Sequence, residues 1–156
     1  MPTPLRLAHL YLAENKPAII AAMHFNSAGI YYEQADPFVD ETGGWDGLVA
    51  SLRSALDRFS FQEANLRDGK KTDWPSYRAS GCRSVRQFEE LYLCIPVRTL
   101  NDAELFYDAS CQPRGESDIT LHVMLNRYGK DDVIDKLLRR LFKESLRWVS
   151  NIVPGE

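Results

Sequence analysis

Glu33, Asp36, Asp40, Glu41 and Asp46 fall between Lys16 and Arg53, a stretch that contains no other lysine or arginine. Tyr31, Tyr32, Phe38 and Trp45 are interleaved with them. A charge-pure segment with large amphipathic rings can attract a basic surface and then grip it. Tyr32, Glu33, Asp36, Asp40, Glu41, Trp45 and Asp46 are therefore the candidate partner-binding residues, the carboxylates supplying a field and the rings supplying desolvated anchors. Two other arrangements fit the same residues. One is a solvated loop with its rings turned into the core. The other is a hard-cation site with Asp36, Asp40 and Glu41 as oxygen ligands, but the spacing does not match a calcium loop, so no metal is expected.

Other residues with chemical potential are scattered. His122 shares strand parity with Thr120 and Met124, and Asp108 lies on the preceding predicted strand. Together they form the candidate acid–base pair of a small hydrolase or ligand-binding pocket. A partly buried histidine hydrogen-bonded to backbone is the plainer reading of His122. Cys82 precedes a predicted helix beside Arg83 and near Arg86, a setting that activates some thiols. A phosphatase loop would need arginine six positions after that cysteine, and Phe88 stands there, so a structural loop thiol is expected. From Arg67 to Arg86 six basic residues face only Asp68 and Asp73, with Trp74 and Tyr77 among them. Such a run fits a single-strand nucleic-acid surface, or a solvated loop that balances the acidic segment.

The phosphate-binding glycine loop, the dinucleotide fingerprint, His-Glu-x-x-His, Gly-x-Ser-x-Gly and Cys-x-x-Cys are all missing. No cofactor and no catalytic residue is expected. A chain of 156 residues with 44% apolar and 26% charged residues suits one domain over 1–156. A net charge of −3 argues against nucleic acid as the main partner. Three unpaired-looking cysteines suit a reducing compartment. The opening apolar run contains Arg6 and His9 and lacks a cleavage site, and Ala18–Met23 is far shorter than the roughly 20 residues that span a bilayer. A cytoplasmic protein without membrane contact is expected, either a monomer or a homodimer.

The elements that must position these groups follow from periodicity. Thr3 and Pro4 predict a helix over 5–14, and Pro17 a second one running to Gly29. A short strand or linker follows at Ile30–Glu33. Leu48, Leu52, Ala55, Leu56 and Phe59 predict a helix after Trp45. A helical turn is predicted over 74–79, and Ser84 caps another helix over 85–90. Leu91 to Val97, Leu105 to Ala109 and Ile119 to Leu125 alternate as three antiparallel strands, and Pro96 places the first at an edge or a bulge. A long helix over 130–152 shows Ile134, Leu138 and Leu141 on one stripe. The expected fold is α+β: N-terminal helices, a three-stranded antiparallel meander, and a C-terminal helix packed on the sheet.

Within this frame, Trp74-x-x-Tyr77-x-x-Ser80-Gly81-Cys82-Arg83-Ser84-Val85-Arg86-Gln87-Phe88-Glu89, the strand after it and the Asn101 turn resemble parts of small bacterial toxin immunity proteins. These belong to contact-dependent inhibition and related polymorphic toxin systems. The resemblance covers residues 74–110. It implies a non-enzymatic cytoplasmic binder whose partner is a protein toxin domain, such as a nuclease, and it carries over no catalytic residues. The acidic segment suits that role, since it would steer towards a basic toxin surface. A homo-oligomeric adaptor, meeting its copy through the Pro96 strand or the last helix, is a third class.

Overall fold

In the computed structural model, residues 5–40, 47–101, 104–111 and 119–152 are described, with backbone alone at 106, 108–111, 119–121 and 146–152. Glu41, Trp45 and Asp46 lie outside the described residues. The chain runs β1 (Leu7–Leu12), β2 (Ile19–Phe25), β3 (Tyr31–Glu33), β4 (Phe38–Val39), α1 (Leu48–Asp57), β5 (Ser60–Phe61), α2 (Pro75–Ser80), α3 (Val85–Leu91), β6 (Leu93–Thr99), β7 (Glu104–Cys111), β8 (Ile119–Asn126) and α4 (Asp131–Ile152). A single 3-10 turn, Lys71–Asp73, precedes α2.

The class is α+β, but the expected three-stranded meander is only one part of a larger sheet. Eight strands join in the order β3-β2-β1-β6-β7-β8, with β4 and β5 also paired to β2. Pairing is antiparallel except between β2 and β5. The helices expected over 5–14 and 17–29 are instead the strands β1 and β2. Their pattern was ambiguous because both faces are covered. Ala8, Leu10 and Leu12 join one core, while Tyr11, Ala13, Ile19 and Ala21 join the other. A strand buried on both faces loses its polar–apolar alternation and reads as a continuous apolar run. The alanines of β2, good helix formers, are overruled by this burial.

Pro96 is the second correction. Its strand is internal, pairing with β1 on one side and β7 on the other. The ladder to β7 begins only at Val97, one residue after Pro96, so no hydrogen bond is required of the missing N–H there. Leu91 ends α3 and does not open a strand; the inward alternation starts at Leu93 and continues through Ile95 and Val97.

Helices α1 and α4 cover one sheet face. Leu48, Leu52 and Leu56 meet Ile134, Leu138 and Leu141 over Ile95, Val97 and Tyr107. Arg53 ties the two together: it pairs with Asp131 and donates to the carbonyl of Gly129 at 2.8 Å. Helices α2 and α3 sit on the opposite face, mainly over β1 and β2, with Cys94 of β6 and Val39 of β4 at the margin of the cluster. There Phe88 lies 4.9 Å from Trp74, 5.2 Å from Tyr11 and 5.1 Å from Tyr92, ring to ring. Local chemistry shapes this flank: Ser84 Oγ accepts from Gln87 N–H to start α3, and Gly81 ends α2 at φ 68°.

Candidate functional site: an aromatic cavity over a buried carboxylate

Strand parity builds this site. His9 and Tyr11 are two residues apart on β1 and point to the face opposite Leu10. On β3, Glu33 pairs with Met23 of β2, and its side chain turns towards Tyr11. A cavity of about 470 Å³ opens above them, walled by Tyr31, Tyr32 and Trp74 and roofed by the connection from Leu66 to Pro75. Its volume lies within the ordinary range of ligand pockets.

Glu33 is the floor of this cavity, and its side chain is only 5% exposed. Tyr11 donates its hydroxyl to Oε1 at 2.5 Å. Ser76 donates its backbone N–H at 3.0 Å and its hydroxyl at 2.7 Å to Oε2. Glu33 thereby fastens β3 to the first turn of α2. Burial pushes the carboxyl up, but hydrogen bonds from His9, Tyr11, Trp74 and Ser76 outweigh it and hold Glu33 below the usual carboxylate range. Tyr11 goes the other way. Burial, then the neighbouring Cys94 and Glu33, raise its hydroxyl far above the usual phenol range. Cys94 itself is pushed up to about 12, chiefly by burial.

These contacts assign the protons. An ionised Glu33 only accepts, so the Tyr11 proton is committed to it. The Tyr11 oxygen then accepts from His9 Nδ1, 3.2 Å away. A neutral His9 consequently carries its proton on Nδ1 and presents Nε2 as an acceptor.

The acidic segment is divided by the fold. Tyr31 and Tyr32 are half-buried, held by hydroxyl bonds to the carbonyls of Leu5 at 2.9 Å and Gln62 at 2.8 Å. Glu33, expected on the surface, faces inward and forms the floor of the cavity. Asp36 is exposed on the bend between β3 and β4 with φ 58°, a conformation that aspartate tolerates. Asp40 is half-buried, and its N–H continues the pairing to Ala18 at 3.0 Å.

Among the described residues no arginine or lysine of the basic run forms an ion pair with Glu33 or Asp36. Arg78 pairs with Asp73 at 2.7 Å and Arg86 with Glu90 at 2.8 Å, both local partners. Arg78 does face Asp36 across a cleft of about 560 Å³ lined also by Ala35, Pro37 and Pro75. Arg58 approaches the Asp36 carbonyl at 3.5 Å and lies 5.2 Å from the Phe38 ring centre.

Elsewhere, Asp108 stands directly opposite His122 in the β7–β8 register, and His122 is exposed. His122 does not line the aromatic cavity. Among the described residues no three metal-type side chains cluster, and no helix is long and apolar enough to cross a membrane. Sequence reasoning missed His9, Tyr11, Ser76 and Trp74 as the partners of Glu33. The His9-x-Tyr11 spacing held the clue, but it places both on one face only once β1 is read as a strand.

No protein-family model matches the chain, and no curated protein does. Among solved structures, the chain is similar to a protein of unknown function, NMB0488, from Neisseria meningitidis. The TM-score is 0.59 at 14% identity, over 81% of this chain and 87% of that one. That likeness is one of fold.

Proposed function

We propose that this chain is an immunity protein, which binds a bacterial toxin domain in the cytoplasm and blocks it without catalysing a reaction. One observation carries the reading: Arg78 and Arg86 pair with local carboxylates, and among the described residues no ion pair is formed with Asp36, which stands exposed. The negative potential of the acidic segment is therefore available to a basic partner, and Tyr32 stands beside it to be covered. The likeness of residues 74–110 to immunity proteins points the same way. A stable complex would bury on the order of 1,600 Å² in total.

The test is binding to the C-terminal domain of a large toxin encoded beside this chain. Reversing Asp36, Asp40 and Glu41 together to lysine slows association on the order of tenfold and flattens its salt dependence. Unchanged kinetics would remove the segment from the interface, and failure of the pair to associate would overturn the function.

The cross-strand placement of Asp108 and His122 favours a second reading, an acid–base pair for hydrolysis on the open sheet face. Activity against ester and phosphoester substrates that disappears in His122→Ala would support it. Equal, background-level turnover by both proteins would end it.

A further inference from the structure

We infer that the aromatic cavity is a receptor for a positively charged side chain of the protein partner, an arginine in first place; this deepens the partner-binding reading and rests on it.

Glu33 has its hydrogen bonds satisfied but not its charge. Tyr11 and Ser76 are neutral donors. Among the described residues no lysine or arginine forms an ion pair with Glu33, and the one ionisable base beside it is His9, with Nδ1 3.6 Å from Oε1. A carboxylate 5% exposed at the base of a cavity projects a negative potential that little water screens. A cation entering the cavity would be its counterion.

The walls suit the same occupant. Tyr31, Tyr32 and Trp74 line the space, and a guanidinium stacks on such rings through their negative faces. The remaining polar lining repeats the pattern. With Tyr11 donating to Glu33 and accepting from His9, a neutral His9 offers Nε2 as an acceptor on a ring that lines the cavity and is 23% exposed. Guanidinium carries five donors and no acceptor, the complement of this floor. About 470 Å³ holds such a side chain with the backbone on either side of it.

Lys70 and Lys71 stand at the mouth and oppose any cation there. Both are exposed, so solvent and salt screen their charges far more than that of Glu33. They set an order of charge along the entry: cation deep, acidic groups of the partner outside.

The experiment has two arms. In the first, N-acetyl-arginine amide is titrated into the isolated chain by NMR, following the Trp74 indole, with N-acetyl-aspartate amide as the opposite charge. A saturable shift with the arginine probe, weakened at least tenfold in Glu33→Gln and in Tyr31→Leu, supports the inference. No saturation at tens of millimolar, or preference for the acidic probe, overturns it. In the second arm, toxin affinity is compared between the native chain and Glu33→Gln, with urea midpoints confirming that both are folded. A loss of at least tenfold supports the inference. Equal affinity overturns it and leaves the immunity reading standing. Saturation by the arginine probe without binding of any toxin domain overturns the immunity reading and leaves a cation receptor.

Discussion

Replacing Glu33 by alanine should be among the most destabilising changes on the α2 side of the sheet. The native carboxylate accepts from Tyr11 O–H, Ser76 N–H and Ser76 O–H at 2.5, 3.0 and 2.7 Å. Hydrogen bonds to a charged group stabilise by about 1.5–3 kcal/mol each, and a buried donor left without an acceptor costs about 1–3 kcal/mol. The open cavity lets water recover part of that loss, so we expect a net cost of about 3 kcal/mol for Glu33→Ala. Glu33→Gln keeps an acceptor for Ser76 and should cost about 1 kcal/mol.

The two variants also differ in their response to acid. A carboxyl held below its ordinary value contributes stability that is present above its unfolded-state pKa. That contribution is lost as pH falls from the unfolded value, near 4.5, through the lower folded one. The native chain should therefore lose stability over this window relative to Glu33→Gln, narrowing the gap between them. Urea unfolding by circular dichroism at pH 7, 5 and 3.5 measures both effects. A cost under about 1 kcal/mol for alanine, or a gap to glutamine that does not change with pH, would refute the assignment of Glu33 as the pin between β3 and α2.

Phe88→Ala removes a ring in contact with Tyr11, Trp74 and Tyr92; we expect about 3–5 kcal/mol lost in urea unfolding, and under 1 kcal/mol would mean this flank is not cooperatively packed. Gly81→Ala meets no atom within 4 Å, so its cost is the left-handed backbone alone, about 1 kcal/mol, with Gly81→Asn costing less. Thermal unfolding checks that order. In a Cys82→Ser, Cys111→Ser background, Cys94 should react with a thiol reagent at pH 8 far more slowly than in urea, because burial pushes its thiol up to about 12. Equal rates would show that β6 is not shielded in solution.

Legibility along the chain followed how many faces each element buries. α4 and α1 bury one stripe, so the 3.6-residue period survives in Leu48, Leu52 and Leu56 and in Ile134, Leu138 and Leu141. β6 and β8 keep a period of two because helices cover one face along their length, while on the other face only the start of β6, at Cys94, packs into the α3 cluster. The second face at β8 leaves Met124 56% exposed. β1 and β2 carry α1 on one side and α2 with α3 on the other, and their apolar runs admitted a helical reading. That error concealed the site, since a helical β1 would put His9 and Tyr11 on different faces.

Residue types and short-range order alone settled the charge-pure segment, the capping serine at Ser84 and the amphipathic last helix. Each depends on contacts within about one turn of chain, or on composition. Tertiary structure decided which carboxylates meet solvent: Glu33 turns inward and Asp36 outward, three residues apart. Side-chain direction on a strand alternates with register, and the register of β3 is set by its pairing to β2. The partners that hold Glu33 come from β1 and α2, as far as 43 positions away in sequence, and no local pattern could announce them.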